Sequence, residues 1–130
     1  MNLPASVKGL TAMRLGVGLA ALAVPRSIAL AFGRPTAEAV TPMATIASTL
    51  FGIRELGLTA VTAGASADEP RALRRILLLG AATDGLDLVV VGLRAIRQPA
   101  LRRAVVLFAP ASILSVGLHL RAARKVEVHR

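Results

Sequence analysis

Residues 72–93 read ALRRILLLGAATDGLDLVVVGL. Past Arg74 and Arg75 the stretch is almost wholly apolar, yet it carries two carboxylates, Asp84 and Asp87, about one helical turn apart. Its length suits a spanning helix, which needs about 20 mostly apolar residues. Strands would show shorter, alternating segments, and none are visible. Gly80, Asp84 and Asp87 then share one helix face. A charge at the centre of a span costs about 2.5–3.5 kcal/mol on insertion scales, so partners are expected elsewhere in the chain.

Working outward, three further apolar runs have similar length. The first extends from Lys8 to Val24, is broken by Arg14, and meets Pro25 and Arg26 before continuing from Ser27 to Phe32. Another runs from Ala39 to Ala67 and contains Arg54 and Glu55. The last, Ala104 to Leu120, contains Pro110. In lipid only a helix satisfies its own backbone, and a packed membrane helix tolerates an internal proline. The sequence therefore predicts an all-α integral membrane four-helix bundle. It forms a single transmembrane domain over residues 1–130, with helices at about 8–32, 39–65, 71–94 and 100–122. Short connections join them: Gly33-Arg34-Pro35-Thr36, Ser66 to Arg71, and Arg94 to Arg103 around Pro99. The charged tail from Arg121 to Arg130 is expected to be frayed.

Composition agrees. The chain has 130 residues, 55% hydrophobic and 18% charged, with a mean hydropathy of +0.66. Water-soluble domains carry about 25% charge, so this chain is depleted. The net charge of +9 comes from basic residues at the ends of the apolar runs, with neither Trp nor Tyr to stack on bases. A nucleic-acid partner is therefore not expected, whereas a bilayer with anionic head groups is. A homo-oligomer or a larger membrane complex is the other expected association. Cysteine is absent, which excludes disulfides and thiol chemistry. His119 and His129 are the only imidazoles, so no catalytic set, metal or cofactor is expected. Lys8, the run from Leu15 to Ala23 and the small residues at its end also fit a signal peptide. Arg14 close beside that run, with no exported domain behind it, favours a retained helix.

Orientation follows from basic residues flanking the spans. Four crossings put Lys8, Arg71, Arg74, Arg75, Arg121, Arg124, Lys125 and Arg130 on one side, eight basic residues against six on the other. The positive-inside rule then places both termini in the cytoplasm of a bacterial cell (inner) membrane.

The internal charges are the candidate site. Counting along alternating helices at about 1.5 Å per residue brings Arg14, Arg54, Glu55, Asp84 and Asp87 to one layer near midplane. Thr41, Thr45, Ser48, Gly52, Glu55, Thr59 and Thr62 form a small, polar stripe on the second helix. Arg14, Gly18, Ala21 and Pro25 form a matching face on the first, and these faces are expected to meet Asp84. Two arginines can neutralise two of the three acids. The remaining acid holds a proton or meets a cation. The layer thus either pins the helices in register or binds a proton, a cation or a polar group, with Asp84 or Asp87 titrating reversibly. Ser112, Ser115 and His119 share a face of the fourth helix and read as packing hydroxyls beside an interfacial His. Gly16 with Ala20, and Ala81 with Gly85, read as packing pairs inside the bundle.

Three stretches together carry a resemblance. They are Pro25 through Phe32-Gly33, the segment Phe51-Gly52-Ile53-Arg54-Glu55-Leu56-Gly57, and Asp84-Gly85-Leu86-Asp87. The chain resembles an uncharacterised family of small bacterial four-helix integral membrane proteins, more distantly the DoxX-like proteins. The resemblance implies the same fold and no agreed activity. Three functions follow as expectations. The first is an accessory or structural membrane component. The second is a proton- or cation-coupled small transporter working as a homo-oligomer. The third is a DoxX-like membrane redox subunit.

Overall fold

The computed structural model describes residues 3–24, 27, 41–65 and 69–128. Over these described residues the molecule is all-helical, with four long helices. The extension of the first helix past Ser27, the turn at Gly33–Thr36 and residues 66–68 of the Ser66–Arg71 turn lie outside the described residues.

Helix α1 spans Ala5–Ala23. It opens on Pro4, whose carbonyl accepts the Val7 and Lys8 amides. It ends before Val24, the residue ahead of Pro25, where helical backbone is disfavoured. Helix α2 spans Pro42–Gly64. The Thr41 hydroxyl caps it by accepting from the Ala44 amide, and Pro42 fits the first turn. Helix α3 spans Pro70–Arg97, with Arg94 and Arg97 complementing the negative end of its dipole. Gln98 turns extended before Pro99, and one 3-10 turn, Pro99–Leu101, leads into helix α4, Arg102–Val128. Pro110 removes one donor from α4, and the helix continues through it.

Two elements differ from expectation. α1 begins three residues earlier than Lys8, since the charge there faces out and does not interrupt the helix. The tail is not frayed. α4 remains helical to Val128, because Ala122, Ala123 and Val126 continue its apolar stripe and are buried.

The helices pack as two antiparallel pairs. α1 lies along α2 and α3 along α4, while α1–α4 and α2–α3 meet along much narrower fronts. Gly18 and Gly52 permit the first pairing. A Cβ at Gly52 would fall 2.9 Å from the Gly18 carbonyl oxygen, and one at Gly18 would fall 2.9 Å from Leu56 Cδ2. Gly16 has nothing within 4 Å and faces outward, as does Gly57. The Gly16–Ala20 pair is therefore not a packing contact. Gly18 is, because it shares the face of Arg14.

An apolar core closes one end. Leu3, Val7 and Leu10 meet Leu73 and Leu77 there, with Ala122, Ala123 and Val126 arriving from α4. Towards the middle the pattern inverts. Buried positions are polar or small, including Arg14, Ser48, Glu55, Asp84 and Ser115, while Leu19, Leu50, Leu86, Val106 and Ile113 face out. Three helices are long and apolar enough to cross a membrane: Ala5–Ala23, Pro70–Arg97 and Val105–Val126 within α4. α2 is 23 residues long, but its hydroxyls and the Arg54-Glu55 pair dilute its hydropathy. Its outward residues Ile46, Leu50, Ile53 and Val61 are nevertheless apolar.

Candidate functional site

Arg14 is the central residue of α1 and Ser115 that of α4, while Glu55 and Asp84 lie within a turn of the centres of α2 and α3. The close approach at Gly18 and Gly52 sets Glu55 beside Arg14. Arg14 Nη1 donates to Glu55 Oε2 at 2.6 Å, and Nη2 donates to Asp84 Oδ2 at 2.5 Å. One guanidinium thus bridges carboxylates on two other helices. All three side chains are buried, with Arg14 only 3% exposed. At this depth charge-assisted hydrogen bonds are short and strong, provided both partners are present.

Arg54 extends the chain of charges. Its Nη2 donates to Glu55 Oε1 at 2.6 Å and its Nε to the same oxygen at 3.1 Å. Its Nη1 donates to Asp87. The guanidinium also lies 5.0 Å from the centroid of the Phe51 ring, in cation–π range. The order Asp84, Arg14, Glu55, Arg54, Asp87 therefore alternates in sign. All five candidates come together, with Arg54 and Asp87 at the more accessible end.

α4 contributes two residues assigned to other roles on sequence grounds. Ser115 Oγ donates to Asp84 Oδ2 at 2.6 Å. His119 Nδ1 donates to the Ser115 carbonyl at 2.8 Å and lies 3.7 Å from Asp84 Oδ2. His119 is not interfacial. It is buried against Gly80, where an added Cβ would fall 2.5 Å from Nε2. The pair is not arranged as a nucleophile and its base. The serine proton is directed at Asp84, and the imidazole nitrogen nearer Ser115 Oγ uses its own proton on a backbone carbonyl.

Satisfaction of polar groups is uneven. Arg14 Nε, Ser48 Oγ and Thr59 Oγ1 are buried without a hydrogen-bond partner among the described residues. Asp84 Oδ1 accepts no hydrogen bond among them, and Arg54 Nη2 lies 3.9 Å from it. A cavity of about 140 Å³ adjoins the cluster between the two helix pairs. Its polar wall comprises Arg14, Arg54, Glu55, Asp84, Ser112 and Ser115, and the rest of its lining is apolar. Among the described residues, no group of three His, Asp or Glu side chains is placed to hold a metal ion.

The two α3 acids should separate cleanly on mutation. Asp84→Asn removes the charge that Arg14 and Ser115 both address in a buried site, and is expected to cost about 3 kcal/mol. Asp87→Asn removes one partner of Arg54 where the Asp87 side chain is 33% exposed, and should cost about 1 kcal/mol or less. Thermal unfolding of the two variants in the same detergent checks the ranking; equal losses would contradict it.

No protein-family model, no curated protein and no solved structure matches the chain. The function is therefore argued from geometry.

Proposed function

We propose that the chain is a multi-pass integral membrane protein, all four helices crossing the bilayer, that serves as an accessory or structural membrane component. One observation carries the reading. Midway along the helices the five charged side chains pair with one another, while the large outward side chains there are apolar. In water that distribution would expose most of the apolar surface and bury the charge, reversing the usual balance. In lipid it is the favourable arrangement. The 19 residues of α1 make a rod of about 28 Å, close to the hydrocarbon thickness. α2 fits as the fourth crossing, its polar face turned to the other helices and its apolar face outward.

The register-setting role follows from the bridge at Arg14. Sliding α1 by one turn against α2 or α3 would pull a guanidinium away from both carboxylates at once. A bacterial inner membrane with both termini cytoplasmic is part of the proposal and is supported by the basic-residue asymmetry. Kinship with the DoxX-like proteins is also part of it, and is supported by the Phe51–Gly57 and Asp84–Asp87 motifs.

Alkaline carbonate washing of membranes from an expressing bacterium provides the first test. The protein should stay in the pellet, and its recovery in the wash would end the membrane reading. Purification in a mild detergent then bears on the accessory role, which requires a partner at fixed stoichiometry. A second reading, a proton- or cation-coupled transporter formed by several copies, is favoured by a different observation. Three carboxylates face two arginines beside a cavity.

A further inference from the structure

We infer that the cavity beside Asp84 binds the protonated head of an amphipathic amine, with the amine's apolar tail lying outside between the helices. This rests on the membrane reading and gives a ligand class to the second reading above.

The charge layer lacks one positive charge. Arg14 and Arg54 stand against Glu55, Asp84 and Asp87. His119 from α4 and Ser115 complete the groups facing Asp84. In low dielectric an uncompensated charge is far more costly than in water. An ammonium entering the cavity supplies the missing positive charge.

The free acceptor is Asp84 Oδ1. Asp84 is buried, its Oδ2 already takes Arg14 and Ser115, and its Oδ1 takes no hydrogen bond among the described residues. What fits there must donate an N–H or O–H. Phe51 and Phe108 line the same cavity, where the Phe51 ring already meets the Arg54 guanidinium. Size limits the ligand. A volume of about 140 Å³ holds roughly five waters at about 30 Å³ each, below the 300–1,000 Å³ typical of drug-sized ligands. Only a head group fits. The tail has a path, because the lining residues Met13, Val17 and Leu114 are 38%, 41% and 59% exposed on the apolar outer surface. A head held by Asp84 therefore continues directly into the lipid-facing side.

The test uses the full chain in zwitterionic-lipid nanodiscs, titrated calorimetrically with hexylamine, against empty nanodiscs. Hexylamine should bind saturably. Hexyltrimethylammonium, which has no N–H, should bind at least about tenfold more weakly. Methylamine, without the tail, should also be weaker, and hexanoate should give no protein-dependent heat. Leu114→Trp fills the mouth without touching an ion pair and should abolish hexylamine binding. Asp84→Asn should weaken hexylamine binding at least about tenfold. If Asp84→Asn does not fold, Leu114→Trp decides. Equal binding of hexylamine and hexanoate, equal binding of hexyltrimethylammonium or methylamine, or unchanged binding by Leu114→Trp would overturn the inference. Carbonate extraction reports on the membrane reading separately, so its failure cannot be confused with failure here.

Discussion

Arg14→Ala should be the most destabilising single substitution in the molecule, at about 3–5 kcal/mol, because it removes the guanidinium that joins two buried carboxylates and leaves Asp84 with Arg54 only at 3.9 Å. Arg14 touches Glu55 and Asp84 through different nitrogens, at 2.6 and 2.5 Å. Lysine cannot copy this. Its ammonium is a compact point charge on a flexible stem, whereas the guanidinium reaches two acceptors in a fixed fork. Arg14→Lys should therefore fall between wild type and alanine. The informative variant is the triple change Arg14→Met, Glu55→Gln, Asp84→Asn. It removes the charges together, and buried charge sets replaced as a whole are often neutral or stabilising. It should regain most of the stability that Arg14→Ala loses. Circular dichroism during heating in detergent, with size-exclusion profiles, measures all three. An Arg14→Ala protein as stable as wild type would show that the bridge does not hold the helices.

The second large effect is expected at Gly52. A methyl group there would sit 2.9 Å from a backbone oxygen, that of Gly18, and 3.1 Å from both Ala21 Cβ and Leu22 Cγ. A backbone atom cannot rotate aside as a long side chain can, so α1 and α2 must separate. Overpacking of this kind costs about 1–3 kcal/mol. Here it also displaces Glu55, one turn further along α2, from Arg14. Gly57→Ala is the matched control on the same helix, since an added Cβ there meets nothing within 4 Å. Relieved of glycine's backbone entropy, it should be neutral or stabilising by up to about 1 kcal/mol. Thermal midpoints of the two alanine variants should move in opposite directions or differ by several degrees. Matching midpoints would mean that the helices do not approach as closely as described.

How much was legible beforehand depended on the kind of signal. Apolar runs and their prolines read through directly, because the elements depend on local composition and on backbone rules that act within a few residues. Pro25, Pro42, Pro70 and Pro99 each stand at or just beyond a helix end. The five charges could be singled out because an ionisable residue in an apolar run is conspicuous wherever its partner lies. Which arginine reaches which acid was not legible. It depends on helix neighbours, and those depend on two glycines, Gly18 and Gly52, that look like any others in the sequence. His119 was misjudged for a different reason. With the fourth helix taken to end near residue 122, His119 looked terminal. Arg121, Arg124 and Lys125 disguise the apolar positions Ala122, Ala123 and Val126 between them. Once the helix is seen to reach Val128, His119 lies one turn from its centre, over Gly80.

The pairing of helices also has a consequence for how the molecule is made. The first pair, α1 with α2, holds Arg14 and Arg54 but one buried acid, Glu55. The second, α3 with α4, holds Asp84 and Asp87 and no arginine in the layer. Neither half is electrically complete. On the membrane reading proposed above, a nascent chain with only its first half folded keeps a guanidinium unmatched until the second half arrives to neutralise it.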